Sequence, residues 1–312
     1  MSEIGNTGRQ HSGFVAVIGA PNAGKSTLVN ALVGSKVSIV TPKVQTTRMQ
    51  VRGVAIRGDA QSVFVDTPGI FKPRRKLDRA MVKSAWAGAG DADAVLVIVD
   101  APALAGEPKG LAAIDTQSIV EGLRETKYKA ALVLNKVDAM PRAELLPLAE
   151  RLNVEGVFER VFMISALKGD GLDEVAAWCV EKMPAGPWLY PADQAADIPM
   201  RLLASEITRE KLYLRLHEEL PYATAVETEL WTERKDGSVK IDQVIYVQRE
   251  GQKAIVLGKG GRAIKAIGES SRRELEEMLG RRVHLFLFVK LRENWAETRE
   301  HYGAIGLEFP EE

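Results

Sequence analysis

The sequence predicts an α/β domain over residues 13–183, a mostly parallel sheet flanked by helices, followed by an α+β domain over residues 200–312. Three observations carry that reading. Short, β-branched apolar runs alternate with helical stretches through residues 14–183, as expected of strands buried on both faces and joined by crossover helices. Between 184 and 199 the periodicity fails and prolines fall at 184, 187, 191 and 199, which reads as a linker. Beyond it the order changes to a helix, a hairpin, a glycine loop, a helix, a strand and a last helix. A chain of 312 residues suits two domains of roughly 100–200 residues each.

In the first domain the strands are "FVAVI", "MQVRGVAI", "QSVFVD", "AVLVIVD", "KAALVLN" and "RVFMIS". Only Arg57–Ala60 separates the second from the third, too short for a crossover, so these two form an antiparallel hairpin. The other spacings allow right-handed βαβ units. In the second domain "TAVETELWTER" and "VKIDQVIYVQ" flank Asp236-Gly237, a hairpin signal. "GQKAIVLG" fits a strand or a short helix. "RLLASEITREKLYLRLHEEL" reads as a helix to Leu220 and "VHLFLFVKL" as a strand.

Residues 1–12 are polar and read as a disordered start, with no apolar segment of a signal peptide. No apolar run approaches the ~18 residues of a spanning helix, and a single cysteine, Cys179, rules out an internal disulfide; a cytoplasmic protein is expected. Cys179 lies in the helical stretch "VAAWCVEKM" and reads as a buried structural thiol. Formal net charge is zero, so any face for nucleic acid must be local.

"GAPNAGKS", Gly19 to Ser26, fits G-x-x-x-x-G-K-S between a strand and a helix, the setting of a phosphate-binding loop. The peptides of Gly19, Ala20, Pro21, Asn22, Ala23 and Gly24 wrap the phosphates, Lys25 reaches the β and γ oxygens, Ser26 offers its hydroxyl to Mg²⁺, and Thr27 opens the helix. "NKVD", with Asn135, Lys136, Val137 and Asp138, ends a strand and so faces the ligand edge of the sheet. A carboxylate at Asp138 accepts from N1–H and the exocyclic amine of guanine, a donor pair that adenine lacks, so GTP and GDP are the expected ligands. Ser165, Ala166 and Leu167 follow the next strand, where the Ala166 amide can meet guanine O6.

"VDTPGI" ends another strand and supplies Asp66 for Mg²⁺, the Gly69 amide for the γ-phosphate, and Thr67, Pro68 and Ile70 around them. "PKVQTTR", Pro42 to Arg48, lies between the first helix and the second strand, where a loop can carry a threonine to the metal. Thr47 is favoured over Thr46. The catalytic set is then Lys25, Thr47, Asp66 and Gly69, and the metal set Ser26, Thr47 and Asp66.

These five stretches stand in the order of the boxes of translation-factor-type GTPases. The run "PKVQTTR" with "DTPGI", and later "ASEITREKLYLRLHEELPY", "REGQKAIVLGKGGRAIKAIG" and "VHLFLFVKLRENWAE", resembles the Era family of bacterial ribosome-assembly GTPases, which pair a TrmE-Era-type GTPase domain with a KH domain. In Ras-like enzymes a glutamine after the D-x-x-G glycine orients the attacking water; here Ile70 stands there, a hydrophobic substitution that the resemblance also implies. Unaided hydrolysis is therefore expected to be slow, resting on backbone groups, Mg²⁺ and a monovalent cation such as K⁺ near Asn22.

A second glycine loop, "GKGG" from Gly258 to Gly261, fails as a phosphate loop because no Ser or Thr follows its Gly-Lys pair, and fails as G-x-G-x-x-G because Ala263 stands where the third glycine belongs. G-x-x-G between helical segments matches the KH module of type II order, whose loop clamps about four single-stranded nucleotides. Between Arg249 and Arg292 eleven Lys/Arg face five Glu, a local basic excess suited to phosphate contact. The expected RNA-binding residues are Ile255, Leu257, Gly258, Lys259, Gly260, Gly261, Arg262, Lys265, Arg272 and Arg273, with Val256, Ile264 and Ile267 completing an apolar groove wall. The resemblance implies the partner: the 3′ end of 16S rRNA and the 30S subunit precursor. It also implies loose peripheral membrane association, which no lipid motif supports, and the chain is expected to act as a monomer. Two other readings stay open: an RNA chaperone for which GTP is a structural ligand, and a GTPase partner in tRNA modification.

Overall fold

The computed structural model describes residues 10–107, 109–126, 128, 130–153, 156–216 and 220–310. It divides into two compact units, one of residues 1–38, 47–197 and 305–312, the other of residues 39–46 and 198–304.

The first unit runs β1 (His11–Ile18), α1 (Lys25–Val33), β2 (Val51–Arg57), β3 (Ala60–Asp66), α2 (Lys76–Gly90), β4 (Ala94–Asp100), α3 (Ala101–Gly106), α4 (Leu111–Thr126), β5 (Ala130–Asn135), α5 (Leu145–Asn153), β6 (Phe158–Met163), α6 (Leu172–Lys182) and β7 (Ala196–Asp197). Its seven-stranded sheet has the order β6-β5-β4-β1-β3-β2-β7. Every pairing from β6 across to β3 is parallel, while β2 pairs antiparallel with β3, as a connection of only Gly58 and Asp59 requires. The central strands are sealed on both faces: Val15 to Ile18 and Leu96 to Val99 have no exposed surface, which explains why they read as unbroken apolar runs. Parallel strands put β1, β3, β4, β5 and β6 with their C-terminal ends on one edge, so the loops that follow them converge there.

Two segments depart from the sequence reading. Residues 1–9 of the expected disordered start lie outside the described residues, but His11 and Ser12 already belong to β1. The His11 amide donates to Asp59 O at 3.1 Å and the Ser12 hydroxyl to Pro187 O at 2.6 Å. The proline-rich segment is packed onto the first unit as far as Asp197. Gln61, wholly buried, accepts from the amides of Leu189 and Tyr190 and donates to Tyr190 O, and Ala196–Asp197 adds an edge strand beside β2. Proline tolerates an edge, where a missing N–H costs no ladder bond, so prolines there did not mean an unstructured tether.

The second unit runs α7 (Met200–Arg215), β8 (Thr224–Glu233), β9 (Val239–Val247), α8 (Glu250–Leu257), α9 (Arg262–Leu279), β10 (Val283–Leu291) and α10 (Arg299–Ala304). "GQKAIVLG" is thus a helix, started by Gln252, whose Oε1 accepts from the Gln248 and Arg249 amides. The helix expected to reach Leu220 ends at Arg215, and residues 217–219 lie outside the described residues. The sheet is three-stranded, β10-β9-β8, with β8–β9 antiparallel and β9–β10 parallel. Its core joins one face of the sheet to α7, α8 and α9 through Leu212, Ile245, Val247, Val256 and Ile267 at one end and Leu203, Ile207, Ile241 and Leu275 at the other.

Candidate functional site

The β1–α1 loop can take only glycine where it bends hardest. Gly24 has φ 102°, and a Cβ there would meet Asn135 Nδ2 at 2.2 Å; at Gly19 a Cβ would meet Ile98 O at 2.3 Å. Lys25 folds back over the loop, its ammonium donating to Gly19 O at 3.1 Å and Ala20 O at 2.9 Å. Burial lowers its pKa to about 8 against the opposing pull of Asp66. Beside it three oxygens converge. The Ser26 hydroxyl donates to Asp66 Oδ2 at 2.7 Å and lies 2.9 Å from Thr47 Oγ1, which reaches the same carboxylate oxygen at 3.3 Å. Asp66 is fully buried, and its Oδ1 makes no hydrogen bond. Burial raises the Asp66 pKa, opposed by the Ser26 hydroxyl, the Lys25 charge and the hydroxyls of Ser38 and Thr47.

Thr46 behaves differently from its neighbour. Its hydroxyl turns to Thr41 Oγ1 at 2.6 Å and Lys43 O at 2.7 Å, inside the unit of residues 39–46 and 198–304. Of the two adjacent threonines it is Thr47, the one favoured in the sequence, whose hydroxyl lies beside Ser26 and Asp66.

At the base-binding corner Asn135 buttresses both neighbouring loops, donating to Ala23 O at 2.8 Å and accepting from the Ala166 amide at 3.0 Å. Lys136, at φ 65°, donates to Asn22 O at 2.8 Å and pairs with Asp100. Asp138 lies 3.5 Å from Lys168 Nζ. The Ser165 hydroxyl, with Lys168 behind it, holds its carboxyl below the usual range. An ionised, acceptor-only group at this corner is what recognition of an N1–H and amine pair needs.

In the second unit, α8 ends at Gly258 (φ 70°, ψ 170°), where a Cβ would meet that of Ala263 at 2.7 Å. Gly260 and Gly261 also have positive φ, yet open space surrounds both, so their backbone is open to close approach. α9 is amphipathic: Ile267, Ser271 and Leu275 are buried at helical spacing, while Arg262, Lys265, Arg272 and Arg273 are exposed with Lys259 and Ile255.

Residues 14–136 match the model of the family described as a 50S ribosome-binding GTPase, and residues 219–296 match that of the KH domain. The chain is 60% identical over 299 residues to the GTPase Era of Brucella suis, covering 96% of this chain and 94% of that one. With the GTPase Era of Caulobacter vibrioides identity is 58% over 312 residues, covering 97% and 98%. The chain belongs to the Era family of GTPases. Among solved structures, a point variant of Aquifex aeolicus Era bound to GDP·AlF₄⁻ superposes with a TM-score of 0.87 at 38% identity, covering 95% of this chain and 99% of that one. An Era complex with MgGDPNP and nucleotides 1506–1542 of 16S ribosomal RNA gives 0.88 at 37% identity, with the same coverage.

Within this Era-family GTPase several expected site residues have other work. The Thr67 hydroxyl is buried and bonds Val17 O at 2.8 Å. Ile70 is 3% exposed and packs in the core that contains Val97, Val99 and Leu132, while its amide donates to Gly19 O at 3.0 Å. Val256 and Ile267, expected on the groove wall, are wholly buried in the core of the second unit; only Ile255, with Leu257 and Ile264 half-buried, faces outward there. One contributor escaped the sequence reading. Asp100 ends β4 on the same edge as Asp66 and Asn135, a position that could have singled it out.

Proposed function

We propose that this Era-family GTPase is a slow, Mg²⁺-dependent switch whose KH domain binds the 3′ region of 16S rRNA and so assists assembly of the 30S subunit. One observation carries the reading: a single chain combines an all-oxygen cluster beside a phosphate-binding loop with an open, basic G-x-x-G loop. Ser26, Thr47 and Asp66 suit Mg²⁺, a hard cation that takes oxygen donors and retains phosphate and water ligands, and the unbonded Asp66 Oδ1 leaves that carboxylate with spare capacity. Bound there, Mg²⁺ would neutralise charge developing on the phosphate oxygens.

The chain's own groups do the rest. Lys25 exchanges its two loop carbonyls for phosphate oxygens, and the α1 N-terminus adds its dipole. Asp138 selects guanine. The Ala166 amide meets O6 by sharing its hydrogen with Asn135 Oδ1. Ile70 brings no polar atom to the attacking water, so hydrolysis is slow, and a monovalent cation such as K⁺ beside Asn22 supplies charge in its place. In the second unit Gly258–Gly261 clamps the RNA backbone and the exposed Lys259, Arg262, Lys265, Arg272 and Arg273 neutralise phosphates. Among the described residues no helix is long and apolar enough to cross a membrane. Contact with the inner face of the cell membrane would therefore be peripheral, and the protein acts as a monomer.

The test is single-turnover GTP hydrolysis by the full chain in Mg²⁺ or EDTA, in K⁺ or Na⁺, with and without an oligonucleotide carrying the 3′ sequence of 16S rRNA. Expected are a low basal rate, its loss in EDTA, and RNA binding that a scrambled sequence does not match. Equal affinity for the scrambled RNA would overturn the proposed partner. RNA binding without any turnover would leave GTP a structural ligand.

A further inference from the structure

One hydroxyl beside the Ser26–Thr47–Asp66 cluster takes no part in its hydrogen bonds. Ser38 is 3% exposed, and its hydroxyl helps to hold the Asp66 charge. Yet Ser38 Oγ and Asp66 Oδ1 are both buried and neither makes a hydrogen bond, while Asp66 Oδ2 takes the Ser26 and Thr47 hydroxyls. Buried polar atoms are almost always paired, and an orphan in a native fold marks a place for an ion or an ordered water. Two orphans on neighbouring side chains mark one shared partner.

Ser38 is held there by one side chain. α1 ends at Val33, Gly34 turns the chain at φ 78°, and residues 37 and 38 come back alongside Asn30. Asn30 Oδ1 accepts from the amides of Val37 and Ser38, each at 2.9 Å, and Nδ2 donates to Ser38 O at 2.8 Å. The orientation of the amide follows from its partners, since two N–H donors can face only its oxygen. These bonds grip the peptide on each side of Ser38, and with both planes fixed the direction of its Cα–Cβ bond is fixed too. The helix end does not need the side chain, because the Gly34 amide already reaches Asn30 O at 2.9 Å. Ser26 stands four residues earlier on the same face of α1, so one stripe of that helix supplies the first hydroxyl and places the second. Every one of these residues lies in the unit of residues 1–38, 47–197 and 305–312.

We propose that Ser38 is a positioning residue of the metal site, its hydroxyl and Asp66 Oδ1 together holding a water of the bound Mg²⁺, and that Asn30 serves by fixing Ser38. Mg²⁺ dehydrates reluctantly and keeps several waters, so a site with few protein oxygens needs groups that hold those waters in place. A water whose lone pair faces the ion has two hydrogens to give, and Asp66 Oδ1 and Ser38 Oγ are two acceptors. The inference rests on the reading of Ser26, Thr47 and Asp66 as the Mg²⁺ site.

The test uses the full chain loaded with a fluorescent GDP analogue and reads the free Mg²⁺ concentration that half-suppresses nucleotide release. Ser38→Ala, Asn30→Ala, their double variant and Ser26→Ala are compared with wild type, each with its melting temperature in GDP and EDTA. Ser38→Ala should need about ten-fold more Mg²⁺, the scale on which groups that orient a metal's ligands act. It should melt no lower than wild type in EDTA, because the substitution removes a buried hydroxyl without a partner; a hydroxyl with a structural bond would lower the melting temperature on removal. Asn30→Ala should raise the Mg²⁺ requirement by a similar factor, and adding Ser38→Ala to it should raise it no further, since both act through one hydroxyl. An unchanged requirement in Ser38→Ala, beside a raised one in Ser26→Ala, overturns the proposal and leaves the metal site standing. Additive shifts from Asn30→Ala and Ser38→Ala overturn the role of Asn30. Should Asn30→Ala fail to fold, Ser38→Ala alone decides the role of the hydroxyl. If Ser26→Ala shifts nothing, the metal reading falls and the inference with it.

Discussion

Asp138 and Cys179 show how environment turns ordinary side chains to opposite ends. Asp138 keeps its charge because Ser165 and Lys168 favour the ionised form. Asp138→Asn replaces an acceptor by an amide, which should weaken guanine-nucleotide binding about ten- to hundred-fold per lost charged bond and raise preference for xanthine nucleotides, whose C2 carbonyl accepts from that amide. Competition between GTP and XTP measures it, and an unchanged guanine preference removes Asp138 from base recognition. Cys179 is wholly buried, and burial pushes its thiol up to about 12, with Arg57 opposing weakly. A folded pKa above the unfolded one means the thiol contributes stability below pH ~9 that is lost as pH rises toward 12. The native protein should therefore resist a thiol reagent at pH 8 and react at once in denaturant; rapid native labelling would contradict the burial. Both residues could be picked out in the sequence, Asp138 by its place in N-K-x-D and Cys179 by its helical apolar neighbours. What the sequence withheld was the closeness of Ser38 to Asp66, residues far apart in the chain that only folding brings together.

At the scale of elements, apolar periodicity fails where two faces of one helix are both apolar for different reasons. Ile255, Val256 and Leu257 form one unbroken run, so pattern alone assigns all three to a groove wall; the turn of α8 instead sends Val256 into the core and leaves Ile255 58% exposed. α9 repeats the division with Ile267 inside and Lys265 outside. Ile267→Ala should cost about 2–5 kcal/mol of the second unit's stability, read as a lower melting temperature. Ile255→Ala should leave stability within about 0.5 kcal/mol while weakening RNA binding. Equal melting shifts from the two would place both side chains in the core. The same limit explains β7: a two-residue edge strand offers too few positions for alternation to register, and Pro191 and Pro199 on either side of it pointed toward a linker.

For the whole molecule, the two glycine loops divide the labour between the units. Around Gly19 and Gly24 any Cβ collides with Ile98 O or Asn135 Nδ2, so those glycines serve close packing of the chain on itself. A Cβ added at Gly260 or Gly261 would meet nothing within 4 Å, so those glycines leave room for something else. Replacing Lys259 and Gly260 by Asp sets two carboxylates where a phosphate backbone would lie, and Asp tolerates the positive φ of Gly260 better than most residues. Neither position is buried, so the melting temperature should hold. Affinity for single-stranded 16S rRNA should collapse, and any residual binding should show a shallower dependence on salt, since fewer counterions are released. GTP affinity should stay at its wild-type value, and stimulation of hydrolysis by RNA should vanish with the binding. Paired titrations with RNA and with GTP on wild type and the double variant decide it. A fall in GTP affinity with RNA binding intact would make Gly258–Gly261 a nucleotide element and return the RNA contact to some other face.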